Sequence, residues 1–130
     1  LQTEFVDPIG LSAGNLSNVK DVVRLAQVAL NNPEIAHTVS LSSYSFQTIQ
    51  GKEKILESTD WLLDSSSGTN FKAIGGKTGY TDQAGYCFVG RFQDNNGKSI
   101  IVAVLDAGSK NDRFLQAKTL ANWAFNHCNW

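Results

Sequence analysis

Apolar residues recur at Val19, Val22, Val23, Ala26, Ala29 and Leu30, three and four positions apart. That spacing puts them on one face of a helix. Ser17 stands where a side-chain cap belongs and Asn31-Asn32-Pro33 ends the pattern, so a helix is predicted between them. Asp7-Pro8 and Gly10 mark turns ahead of it. Residues 38–48 are rich in β-branched, aromatic and serine side chains with weak alternation, which predicts an edge strand or extended arm. The polar stretch Ser65-Ser66-Ser67-Gly68-Thr69-Asn70 reads as a loop that splits the chain in two.

The second half is more regular. Tyr86, Phe88, Gly90 and Phe92 alternate with Cys87, Val89 and Arg91, Asn95-Asn96-Gly97 is a hairpin signal, and Ile100-Ile101-Val102-Ala103-Val104-Leu105 is an unbroken apolar run. A strand at 75–80 is expected beside one at 85–94, which pairs in turn with 98–105 in an antiparallel sheet. An apolar run of this kind needs cover on both faces. A helix over 111–127 supplies one cover: Phe114, Ala117, Ala121, Ala124 and Phe125 share a face, with Asn111 or Asp112 as cap. Strands followed by a packed terminal helix indicate an α+β layer fold.

Composition narrows the function. At 130 residues the chain is one domain at most, long enough to bury roughly two-thirds of its unfolded surface. Its eleven basic and twelve acidic residues are interspersed, which argues against a nucleic-acid partner. No apolar run is long enough to span a membrane, and residues 1–5 lack the basic and apolar regions of a signal peptide. The absence of methionine marks the chain as a piece of a longer translation product. Cys87 and Cys128, with His37 and His127 far apart, are too few for a zinc site and are expected to be free, buried thiols. Neither a metal nor an organic cofactor is implied.

The string Gly75-Gly76-Lys77-Thr78-Gly79-Tyr80-Thr81 carries the chemistry. A phosphate-binding loop would need glycine where Phe71 stands and a helix starting at the lysine, whereas Gly79, Thr81 and Gly85 break any helix there. The other users of such a string are the active-site serine enzymes with Ser-x-x-Lys, Ser-x-Asn and Lys-Thr-Gly signatures. An extended peptide can pair with an exposed strand edge, and a glycine lets its backbone approach. Lys77 would set a cation beside the reacting centre and the substrate carboxylate, and Thr78 would offer that carboxylate a hydroxyl.

Together with Phe5-Val6-Asp7-Pro8-Ile9-Gly10-Leu11, Ala84-Gly85-Tyr86-Cys87, the apolar strand and Asp112-Arg113-Phe114, this string resembles the D-alanyl-D-alanine carboxypeptidases of the low-molecular-mass penicillin-binding proteins. The resemblance runs from about residue 5 to about residue 125 and covers the C-terminal part of that family's catalytic domain, with the upstream half absent. It implies a β-lactamase/transpeptidase-like fold and a serine peptidase that acts on peptidoglycan stem peptides through an acyl-enzyme, binds β-lactams and works outside the cytoplasmic membrane in the bacterial cell envelope. It also implies roles: Lys77 catalytic, the Tyr80 backbone N–H an oxyanion-hole donor, Thr78 and Gly79 substrate-binding, and Arg113 an aid in holding the terminal carboxylate. The alternatives are a β-lactamase or endopeptidase of the same superfamily, or a non-catalytic fragment that only recognises D-alanyl termini.

Two strings imitate the missing signatures. Ser17-Asn18-Val19-Lys20 spells Ser-x-x-Lys, but twelve Ser and eight Lys produce roughly 0.7 such strings by chance, and Ser17 is expected to be a helix cap. Ser109-Lys110-Asn111 spells Ser-x-Asn and lies in the loop before the last helix. The chain also departs from the family's usual Asn-Thr-Asn before paired leucines, carrying Ser58-Thr59-Asp60 before Trp61-Leu62-Leu63, and has Ile9 where a small polar residue is common. Lacking the upstream half, the chain is expected to self-associate or to pair with that half.

Overall fold

The computed structural model describes residues 2–64 and 70–128. The polar loop expected at 65–70 lies outside them except for Asn70. Helix α1 (Val19–Ala29) begins one residue later than the serine cap implies: Asn18 is the N-cap and its side chain accepts from the Asp21 N–H at 3.0 Å. Ser17 instead shares a 2.8 Å hydrogen bond with the Thr3 hydroxyl. Asp21 also accepts from the Gln2 N–H and Thr3 Oγ1, so this helix start anchors the preceding segment. Asp7 organises the turn after it, accepting from the N–H groups of Ile9, Gly10 and Ser12. Although burial pulls the other way, these bonds hold the Asp7 carboxyl below its usual value.

Asn32-Pro33 ends one helix and starts another. The Asn32 side chain caps α2 (Pro33–Val39) and the proline takes the first turn, where its missing N–H costs nothing. The extended arm narrows to β1 (Ser43–Gln47), which pairs antiparallel with an unforeseen β2 (Glu53–Glu57) in an exposed hairpin.

The main sheet has the expected order, β3 (Phe71–Thr81), β4 (Gly85–Asp94) and β5 (Ser99–Ala107), all antiparallel. Asp94 accepts from the N–H groups of Asn96 and Lys98 and Gly97 takes φ 84°, which closes the predicted hairpin turn. Helix α3 (Asp112–His127) packs on the sheet face that carries Phe88, Phe92, Val102 and Val104. Ala117 and Ala121 are both 0% exposed and allow close approach of the helix. The Asn111 side chain makes no cap hydrogen bond; Ser109 Oγ accepts from the Asp112 N–H instead. Phe88 packs edge-on against Phe114, ring centroids 5.4 Å apart, and sits over Gly76 and Gly90, which pair in register. A Cβ at Gly90 would stand 2.6 Å from the Phe88 ring and one at Gly76 2.7 Å.

Helix α1 lies against β5 and β4, giving the apolar strand a second, partial cover. The Arg91 guanidinium joins them, donating to the Leu30 carbonyl at 3.1 Å and Asn31 Oδ1 at 2.9 Å. The last turn of α1 has no basic residue of its own, so a β4 arginine supplies the cation its C-terminus favours. Both cysteines are free, but Cys128 is exposed and Cys87 only half-buried, contrary to the expectation of buried thiols. No helix among the described residues is long and apolar enough to cross a membrane.

Two stability changes follow. Gly90→Ala forces Phe88 out of its seat and should cost about 1–3 kcal/mol in urea unfolding, the range for overpacked cores. Arg91→Ala leaves the end of α1 without its donor and should cost about 1–2 kcal/mol, with amide exchange rising first at residues 26–31.

Candidate active site

The Gly-Lys-Thr-Gly string lies on a strand. Residues 75–81 form the C-terminal part of β3, whose second edge has no strand partner among the described residues. Strand alternation divides the string between two faces. Gly76 is buried toward Phe88, while Lys77 is exposed and its Nζ donates to its neighbour's carbonyl on Thr78. Thr78 shares a 2.6 Å hydrogen bond with the Thr59 hydroxyl. The Tyr80 ring packs on Tyr86 at 4.3 Å, and its hydroxyl donates to Asp82 Oδ1 at 2.8 Å; that bond pushes the phenol above its usual value.

The glycines of the string serve different ends. Gly76 is required from inside, because a side chain there would strike Phe88 and Asp60. Gly79 has no such requirement: an added Cβ would meet nothing closer than Cys87 Cβ at 3.7 Å, and its φ lies outside the left-handed region. The fold itself would accept alanine at position 79.

Arg113 is 4% exposed and lies on the core side of β3, in the first turn of α3. Its Nη1 donates to the Gly79 carbonyl at 3.2 Å and the Cys87 carbonyl at 3.5 Å, and its guanidinium lies over the Phe114 ring at 4.7 Å. Burial lowers its pKa from the usual value, against the opposing influence of Tyr86 and Asp60. Lys77, Thr78, Gly79 and Tyr80 thus follow one another along one strand, with Arg113 bracing it from behind.

Sequence reasoning missed the segment that underlies the strand. Thr59 meets Thr78, and Asp60, 3% exposed, lies behind Gly76. Trp61 packs on Phe114 at 5.7 Å with Lys110 above its ring at 4.3 Å. The one signal was the unusual aspartate before the apolar Trp61-Leu62-Leu63. An open cavity of about 440 Å³ adjoins the strand's end, lined by Gly79, Tyr80 and Cys87 and by the loop from Gly10 to Ser17; Lys77 is not part of its wall. Of the two imitation signatures, Ser17 shares its hydrogen bond with Thr3, and Ser109 accepts from the Asp112 N–H at the start of α3. Among the described residues no three His, Cys, Asp or Glu side chains gather as a metal site.

Comparison with known proteins gives the same direction. A family model described as D-alanyl-D-alanine carboxypeptidase matches residues 1–109. The chain is 32% identical over 123 residues to a D-alanyl-D-alanine endopeptidase of Escherichia coli strain K12, covering 93% of this chain and 38% of the relative. It is 32% identical over 129 residues to a D-alanyl-D-alanine carboxypeptidase of Mycobacterium tuberculosis, covering 95% and 42%. The chain therefore spans well under half the length of these relatives. Among solved structures, a D-alanyl-D-alanine carboxypeptidase of Mycobacterium tuberculosis H37Rv superimposes with a TM-score of 0.79 at 31% identity, over 97% of this chain and 48% of that one. A mutant of the Streptomyces K15 DD-transpeptidase gives 0.77 at 30%, over 88% and 44%. The α+β fold is that of the DD-transpeptidases and penicillin-binding proteins, and the chain belongs to the D-alanyl-D-alanine carboxypeptidase family of peptidases.

Proposed function

We propose that this chain is the C-terminal, substrate-recognising part of the catalytic domain of a serine D-alanyl-D-alanine carboxypeptidase, working on peptidoglycan stem peptides in the bacterial cell envelope, with β-lactams as competing ligands. The observation that carries the reading is Gly79: neither backbone conformation nor internal packing demands a glycine there, yet it sits on an open strand edge. A ligand backbone laid against that edge supplies the reason.

In this reading the stem peptide adds as a further strand beside β3. Its terminal carboxylate takes the Thr78 hydroxyl and the charge of Lys77, and Arg113 adds its positive charge from behind the strand. A serine on the remaining part of the domain attacks the carbonyl of the penultimate D-alanine. The negative oxygen that forms accepts from the Tyr80 N–H, a donor worth about 3 kcal/mol to such a transition state. The terminal D-alanine leaves as its amine takes up a proton, and water then hydrolyses the ester. In this reading the nucleophile and base belong to the upstream part of the family's catalytic domain, and the chain by itself, which spans well under half the length of these relatives, is expected to be inactive and to pair with that part. The surfaces awaiting it are the outer edge of β5 and the exposed Val19, Leu25 and Val28 of α1. An endopeptidase that cuts cross-links between stem peptides is the second reading, favoured by the Escherichia coli relative; release of D-alanine from a pentapeptide against cleavage of a cross-linked dimer separates the two.

Two outcomes are expected. Titrating the labelled chain with a D-alanyl-D-alanine-terminated peptide should shift the amides of Lys77, Thr78, Gly79 and Tyr80. Gly79→Ala should abolish the shifts while the thermal midpoint stays within about 2 °C of wild type. Shifts that survive the substitution would remove the edge-binding reading. Joined to the upstream part of a family member, the chain should form a stoichiometric penicillin adduct on intact-mass analysis, and Lys77→Ala should slow its formation on the order of a hundredfold. Equal rates would remove Lys77 from the site.

A further inference from the structure

Two carboxyl groups are buried among the described residues: Asp21, which anchors the start of α1, and Asp60, for which the reaction above has no use. Asp60 is 3% exposed. Its N–H donates to Ser58 Oγ at 3.1 Å and its Oδ1 accepts from the Leu62 N–H at 3.0 Å, but Oδ2 has no hydrogen-bond partner among the described residues. That bare oxygen lies close behind the strand, 2.7 Å from where a Cβ on Gly76 would stand. A second bare atom lies behind the same strand. Arg113 Nε is buried and also lacks a partner among the described residues, while Nη1 of the same guanidinium braces the Gly79 carbonyl. Between these points the Thr59 hydroxyl meets Thr78. Residues 76, 78 and 79 are thus each supported from behind, two of the three contacts ending on an ionisable group with an unsatisfied atom.

Leaving such atoms unsatisfied is costly, and a lone ionised carboxylate in this position is costlier than a neutral acid. Burial pushes the Asp60 carboxyl above its usual value. The Leu62 N–H bond and the charge of Arg113 pull it back, and Asp64 pushes it up further. The groups that face it are few. Its own segment brings Asp64 and α3 brings Arg113, while Lys110, from the loop before α3, rests on the neighbouring Trp61 ring. From β4 come the apolar Phe88 and, beside Arg113, Tyr86 and Cys87; from β3 come Gly76 and the neutral Thr78, with Lys77 exposed.

We propose that Asp60 is a positioning residue for the ligand-binding strand: neutral, it seats beneath Gly76 and leaves Arg113 on the Gly79 carbonyl, whereas ionised it draws the Arg113 guanidinium to itself and loosens Gly79. The step is a proton loss from Asp60 to solvent and an exchange of hydrogen-bond acceptors by Arg113, with no bond made or broken otherwise. The inference rests on the reading of this strand as the binding edge only for its effect on ligand. The motion of the strand is independent of that reading.

The test is a pH titration of the labelled 130-residue chain from about pH 4 to about pH 8, following the Asp60 side-chain carboxyl carbon and the amides of Gly76, Thr78 and Gly79. The proposal expects one common midpoint above the ordinary aspartate value, and Asp60→Asn should hold the three amides at their acid-form positions throughout. Strand amides that ignore the Asp60 midpoint, or that still titrate in the variant, overturn it; the carboxyl-carbon comparison needs only wild type and so decides even if the variant folds poorly. Stability supplies a check on the sign. The folded chain holds this proton more tightly than the unfolded chain does, so stability falls as pH rises from the ordinary aspartate value through the folded one. Asp60→Asn removes that slope. Binding of a D-alanyl-D-alanine-terminated peptide should weaken about fivefold or more across the midpoint in wild type and not in the variant. A peptide that binds at no pH refutes the carboxypeptidase reading while the strand titration still decides the Asp60 coupling; a peptide that binds equally at every pH, beside a titrating strand, refutes positioning of ligand.

Discussion

The seat of Phe88 governs both the core and the site. Its ring fills the space above Gly76 and Gly90, partners across β3 and β4, and no residue with a Cβ fits at either place without displacing it. This fixes the register of the two strands from inside. It also determines which way the next residue points. With Gly76 committed to the core face, strand alternation delivers Lys77 to the opposite face. A slip of β3 by one residue would turn Lys77 toward the core and take Gly76 from beneath Phe88. The chemistry of the edge and the packing of the interior are therefore written into the same few residues, one position apart.

Two arginines then tie the sheet to its helices by the same device. Arg91 reaches from β4 to the last carbonyls of α1, and Arg113 reaches from α3 to the Gly79 and Cys87 carbonyls of the sheet. In each case a planar cation meets neutral acceptors rather than a carboxylate. Such bonds are charge-assisted, yet they leave the charge only partly compensated. Arg91 keeps access to solvent, whereas Arg113 is almost fully enclosed and carries a bare Nε. The less fully satisfied of the two braces is the one beneath the residue that meets the ligand in the proposed reading.

Features set by local chemistry were legible in the sequence. Alternation around Phe88 and Phe92, the Asn95-Asn96-Gly97 turn and the apolar face of α3 gave the sheet order and its cover, because each depends on neighbours close along the chain. Caps were harder, since Ser17 and Asn18 are equally suited and the choice falls to whichever oxygen meets the Asp21 N–H. Asn32-Pro33 marked the end of α1 but told only half of its role, because the same pair also starts α2. The β2 strand carries charge at Glu53, Lys54 and Glu57 and buries none of its side chains, so its pairing with β1 left little hydrophobic signal. At the site, Lys77, Thr78 and Gly79 were legible as a string, while Thr59 and Asp60 reach it across about twenty residues of chain by tertiary packing alone.

The openness of the Lys77 face bears on how catalysis would be divided. An ammonium group in bulk water gives a substrate carboxylate little, because solvent screens the pair and hydrates both partners. The same lysine in a closed, water-poor site is worth far more to a developing charge. Here Lys77 is exposed and bonds a carbonyl of its own strand, so nothing among the described residues confines its charge. Arg113 is the reverse, enclosed but unable to reach past Gly79 except through its field. In the proposed enzyme the recognition half fixes the direction of approach, with the strand edge and the two cations set on either side of it. Enclosure, and with it most of the electrostatic advantage, comes when the rest of the domain closes over Lys77. Binding affinity for the peptide and the rate of acylation therefore rest on different parts of the molecule, and the first can persist in this chain without the second.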